Sequence, residues 1–130
     1  MSVLVKSVLL LSMLMLVWAR DTNVYITNDL EGREDLNIHC KSGDDDLGQH
    51  VLNINQAFKM SFGTNYFWGT LFFCSFQWGN SPLLHFDVYD QSRDYYLCDE
   101  CKWYIKKDGP CRFEQQPDNS NIYKCYDWNS

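Results

Sequence analysis

Apolar and polar residues alternate with a period of two along most of this chain, and that pattern excludes most folds. Val24 and Ile26 alternate with Tyr25 and Thr27; Leu36, Ile38 and Cys40 with Asn37, His39 and Lys41; Phe58, Met60 and Phe62 with Ala57, Lys59 and Ser61. Phe86 and Val88 alternate with His85, Asp87 and Tyr89, and Trp103 and Ile105 with Lys102, Tyr104 and Lys106. Successive side chains of a strand point to opposite faces, so each run gives one apolar and one polar face. The stretch Thr70–Trp78, TLFFCSFQW, is apolar on both sides near its centre, as in a strand from the middle of a sheet. Beyond residue 19 no segment sustains a helical period.

Turn-forming clusters separate these runs at Asn28-Asp29, Gly32, 42–48, 53–56, 63–65, 79–82, 108–110 and 117–121. They define about eight strands, the last within Ile122–Trp128 and tethered through Cys125. Half-apolar sheets must cover one another, so the expected fold is all-β, a two-sheet antiparallel β-sandwich. Its expected core is Leu36, Ile38, Phe58, Met60, Phe62, Leu71, Phe73, Phe86, Val88, Trp103 and Ile105.

The first 19 residues read differently. Lys6 precedes an apolar run from Val8 to Trp18, and Val17 and Ala19 offer small side chains where a signal peptidase reads. The run is too short to cross a bilayer comfortably. The expected organisation is a secretory leader at 1–19 and one domain at 20–130, with no membrane insertion once the leader is removed. The leader holds one of the 11 basic residues and no acid, so the remaining chain has 10 basic and 17 acidic residues, a formal charge of −7. Such a domain would be repelled by nucleic-acid backbones and by anionic membranes, so neither is an expected partner. All six cysteines, Cys40, Cys74, Cys98, Cys101, Cys111 and Cys125, lie beyond the leader, and an even count in a small secreted chain reads as disulfides. Spacing alone leaves their pairing open.

Four features bear on chemistry. Asp44-Asp45-Asp46 lacks the glycine and glutamate positions of an EF-hand loop, and three adjacent aspartates in a turn read as solvated loop geometry. Cys98-Asp-Glu-Cys101 lacks the helix start that activates a thioredoxin-like thiol, since Lys102–Lys106 alternates as a strand. His39, His50 and His85 sit one per expected strand. Nothing assembles a nucleophile, base and orienter, so the chain reads as a non-enzyme without metal or cofactor. The fourth feature is the connection DQSRDYYLCDE, Asp90 to Glu100, with mixed charge and two tyrosines between well-patterned strands. It reads either as an ordinary hydrophilic link or as a recognition loop held by a bridge at Cys98.

Several of these pieces together resemble the plant self-incompatibility S-protein homologues, small secreted proteins typified by the stigma S-proteins of poppy. They are Val24–Leu30 (VYITNDL), Leu36–Ser42 (LNIHCKS) with Asp44–Gly48, Thr70–Cys74 with Trp78, Phe86–Tyr89, Cys98–Cys101 with Trp103, and Gly109-Pro110-Cys111. In order they span essentially the whole chain beyond the leader. The resemblance implies a disulfide-stabilised β-sandwich, secreted by plant cells and acting as a monomeric signalling ligand for a cell-surface receptor. In poppy that receptor is a pollen membrane protein, and a self match arrests pollen-tube growth. Exposed loops carry recognition in the family; by the same resemblance, Asp90, Arg93, Asp94, Asp99 and Glu100 become receptor-binding candidates. A homologue with a developmental or defence role outside self-incompatibility is the alternative.

Overall fold

The computed structural model describes residues 20–65, 67 and 69–129, so the leader reading at 1–19 lies outside the described residues. Nine strands form: β1 (Arg20–Asn28), β2 (Leu36–Lys41), β3 (Asp46–Leu52), β4 (Ala57–Thr64), β5 (Leu71–Gln77), β6 (Leu84–Asp90), β7 (Glu100–Lys106), β8 (Gly109–Gln115) and β9 (Asn121–Cys125). A single helical turn, α1 (Gln91–Asp94), follows β6. The strands build a five-stranded sheet in the order β4-β1-β7-β8-β9 and a four-stranded sheet in the order β3-β2-β5-β6. The inner faces pack Val24, Ile26, Leu36, Ile38, Phe76, Phe86, Val88, Trp103 and Ile105 into one apolar core. Trp103 is fully buried, and its indole N–H donates to the Val88 carbonyl at 2.7 Å, tying one sheet to the other. Asn28, also fully buried, does the same at the end of β1. Its amide donates to the carbonyls of Glu34 (2.8 Å) and Leu52 (2.9 Å), and its side-chain oxygen accepts from the Leu30 N–H at 3.1 Å.

The two-sheet disulfide-bonded sandwich is as the alternation implies, with three departures. One strand pair, β1 with β7, is parallel; every other named pair is antiparallel. β8 is an additional strand. Its inward residues are Arg112 and Glu114 while Phe113 faces out, so the polarity of its alternation is inverted and hides it from a hydrophobic pattern. Finally, the phase of β5 is opposite to that expected: Phe72, Cys74 and Phe76 are buried, and Leu71 and Phe73 are exposed. Cys40 explains why. It shares the inward face of β2 with Ile38, stands directly opposite Cys74, and is bonded to it, which turns the even-numbered residues of β5 inward.

The other bridges are Cys98–Cys101 and Cys111–Cys125, the latter joining directly opposed residues of β8 and β9. At the β7–β8 turn Gly109 has φ +150°, and a Cβ built there would lie 1.9 Å from the Tyr126 carbonyl oxygen. Pro110 accepts the Tyr126 N–H at 2.9 Å, so this backbone cannot easily retreat. Gly109→Ala is expected to destabilise by about 3 kcal/mol, seen as a lowered melting temperature, whereas Gly43→Ala, with open space around it, is expected to be near neutral.

Candidate functional site

The segment from Asp90 to Glu100 is held from both ends and from beneath. Asp90 caps α1: its carboxylate accepts from the Ser92 N–H (3.0 Å) and hydroxyl (2.7 Å). Four residues on, Asp94 turns its side chain into the protein and is 0 % exposed. A buried carboxylate needs both counter-charge and donors. Asp94 has them in a two-pronged contact from Arg93 (2.6 Å from both Nε and Nη2), Nη2 of Arg112 (2.7 Å) and the Asp90 N–H (2.9 Å). The Arg93 Nη2 also donates to the Asp87 carbonyl at 2.7 Å, fastening α1 to β6.

Arg112 is the hub. From β8 it reaches Asp94 with one nitrogen and Glu114 with Nε (2.9 Å), and its guanidinium lies 4.4 Å from the Trp103 ring centre. Its third nitrogen points at the Cys98 sulfur, 3.5 Å away. Tyr126 closes the group by donating its hydroxyl to Glu114 at 2.5 Å. Burial opposes the charge on Arg112, but Asp94 and Glu114 outweigh it and hold its pKa above the ordinary arginine range. Burial likewise acts to raise the Glu114 pKa; the Tyr126 hydroxyl and Arg112 outweigh it and keep the carboxyl below the usual range. Two cations and two anions thus form a charge-balanced buried cluster under the loop.

Beyond α1 the chain presents Tyr96, 79 % exposed, and Leu97 to solvent before Cys98 bridges back to Cys101 in β7. Asp99 lies outside, paired with Nε of Arg20 at 3.0 Å, and the Arg20 guanidinium stacks 3.9 Å from the Tyr95 ring centre. Glu100 is exposed and accepts from the Asn23 amide at 2.7 Å. The five candidates therefore divide. Asp99 and Glu100 face solvent and Asp90 is half-buried at the cap, but Arg93 and Asp94 are committed to the cluster, and Asp94 has no surface for a partner. Arg112, Glu114 and Tyr126 escaped the sequence reading; an Arg-x-Glu pair on the inward face of a strand was the available signal.

Asp44 and Asp45 lie in the turn, as expected, while Asp46 already opens β3. Ser42 and Asp45 close it (Ser42 N–H to Asp45 O, 2.8 Å; Asp45 N–H to Ser42 Oγ, 3.1 Å), joining β2 to β3. Asp46 accepts from the Gly48 N–H (2.9 Å) and contacts His39 Nε2 (2.6 Å); these two partners hold its pKa below the usual carboxylate range.

The family model of the plant self-incompatibility protein S1 matches residues 23–128, which takes in both sheets and the 90–100 loop. The chain belongs to that family. S-protein homolog 5 of Arabidopsis thaliana is 48% identical over 109 residues, covering 84% of this chain and 79% of the relative. S-protein homolog 3 of the same plant is 43% identical over 116 residues, covering 86% and 75%. A solved SPH (self-incompatibility protein homologue) structure, from a family described as widespread, small, highly stable and secreted, superposes with a TM-score of 0.57. That match covers 88% of this chain and 99% of the neighbour at 16% identity, and supports the fold. Within the S1 family match, α1 and its buried anchor lie between two of the best-patterned strands, β6 and β7.

Proposed function

We propose that this S1-family protein is a secreted ligand read by a cell-surface receptor, with the exposed side of the 90–100 loop as its contact. The observation that carries this reading is the loop's construction: its interior charges are all consumed in holding shape, while Tyr96, Leu97, Asp99 and Glu100 are displayed. An aromatic and an aliphatic anchor on a rigid base lose little entropy on binding. Three disulfides with no free cysteine among the described residues suit an oxidising extracellular setting, as do the leader-like N-terminus and the secreted SPH neighbour.

Labelled protein applied to living pollen tubes and to other plant cells tests the reading. Saturable surface binding, weakened about tenfold or more by Tyr96→Ala with Leu97→Ser, supports it. Undiminished binding by that variant would move the contact elsewhere. Growth arrest confined to pollen of one genotype would mark a self-incompatibility determinant. The Arabidopsis relatives are named only for homology to S-proteins. This favours a second reading, in which the same loop serves a developmental or defence signal in another tissue, recognised by binding to cells other than pollen.

A further inference from the structure

The outer face of the five-stranded sheet has a composition unlike the rest of the molecule. Tyr25 on β1 stands between Lys59 of β4 and Lys102 of β7, whose ammonium groups lie 5.6 and 5.9 Å from its ring centre. One row along, Tyr104 stands between Thr27 and Cys111. Two residues past Cys111, Phe113 faces Tyr123 across β8 and β9, with ring centres 4.7 Å apart. Phe113 is 65% and Tyr123 44% exposed. The strip crosses all five strands, about 19 Å at the usual strand spacing. Among the described residues neither Lys59 nor Lys102 is in an ion pair, and with only the Glu100 carboxylate near both they make a local cationic patch on a chain whose net charge is −6. Glu100, beside the strip, bonds Asn23 and Tyr25, and Lys106 pairs with Asp29 at 2.7 Å.

We propose that this face binds an anionic polysaccharide rich in uronate sugars. The C–H faces of pyranose rings are apolar and flat, and suit rings presented on a sheet. Carboxylates along the polymer find two ammonium groups on the strands either side of β1, two strand spacings apart at their roots. The strip centres on two lysines, and lysine is depleted at protein interfaces. An anionic bilayer would want a broader apolar face than the Phe113 and Tyr123 rings supply. Flat rings set beside lysines, with little further apolar surface, favour a sugar polyanion over either.

The test is affinity electrophoresis and calorimetry of the full protein with size-defined oligogalacturonate. Parallel arms use neutral oligogalactan of equal length, dextran sulfate, phosphatidylserine vesicles and duplex DNA. Binding to oligogalacturonate with about tenfold preference over each arm is expected. Lys59→Gln with Lys102→Gln should weaken it about tenfold and flatten its salt dependence. Phe113→Ser with Tyr123→Ser should weaken it by a similar factor, with melting temperatures of both variants near that of the parent. No binding, equal binding to neutral or sulfated polymer, preference for vesicles or DNA, or indifference to both variants would each overturn the proposal. Tyr96→Ala with Leu97→Ser should leave sugar binding intact, so failure here and failure of the receptor reading are separable.

Discussion

Replacing Arg112 by methionine is expected to destabilise the protein by about 3–5 kcal/mol, because the substitution leaves buried charge without its partner. Arg112 links Asp94 and Glu114 at 2.7 and 2.9 Å. Asp94 would retain Arg93, but Glu114 would retain the Tyr126 hydroxyl and the charge of Lys124 without a direct ion pair among the described residues. In urea at neutral pH the unfolding midpoint should fall by about 2 M. Arg112→Met with Glu114→Leu should recover much of the loss, since an apolar pair of similar volume removes the stranded charge. A single variant within about 1 kcal/mol of the parent would show that the cluster is not a structural anchor. The acid limb gives a second reading of the same group. The folded pKa of Glu114 is depressed, so its stabilisation is present above its unfolded value of about 4.3 and is lost as pH falls through the folded pKa. In Arg112→Met that acid-dependent loss should shrink.

Removing the disulfides one pair at a time, as Cys→Ala doubles, should give a graded series. On a chain-entropy basis the Cys40–Cys74 bridge, with a sequence separation of 34, contributes about 3.8 kcal/mol. Cys111–Cys125, separated by 14, contributes about 3 kcal/mol. Cys98–Cys101, separated by 3, contributes about 1.9 kcal/mol. Cys40 and Cys74 are also core residues, so their truncation adds a packing loss and widens the gap. Chemical denaturation of the three doubles checks the order. If the Cys98–Cys101 double were the least stable, that bridge would be holding the Arg112 cluster together rather than merely closing a short loop.

Much of the sandwich was legible because period two survives in β1, β2, β4, β6 and β7. Where it failed, a side chain had another obligation. β5 is apolar on both sides, so hydrophobicity could not choose its phase; a covalent bond to Cys40 did. β8 points Arg112 and Glu114 inward and Phe113 outward, the reverse of what burial scales expect, because the charges neutralise one another out of sight. For the same reason the 90–100 loop looked uniformly hydrophilic. Asp94 and Asp99 are the same residue type five positions apart, yet one is the loop's foundation and the other its surface. A partner 18 residues further on, Arg112, joins Arg93 in turning the first of them inward. The parallel pairing of β1 with β7 depends on contacts remote in sequence and left no local mark.

Arg20, the first described residue, lies on a strand in the interior of its sheet, ion-paired with Asp99 and stacked on Tyr95. A tag fused directly to Arg20, with residues 1–19 left out, would therefore be attached beside Asp99 and Tyr95 of the candidate loop. An affinity tag left at that end would crowd the surface under study and could produce a false negative in any cell-binding assay. Recombinant material for such assays is best tagged at the opposite terminus, where Asn129 runs beside His85 on the edge of the other sheet.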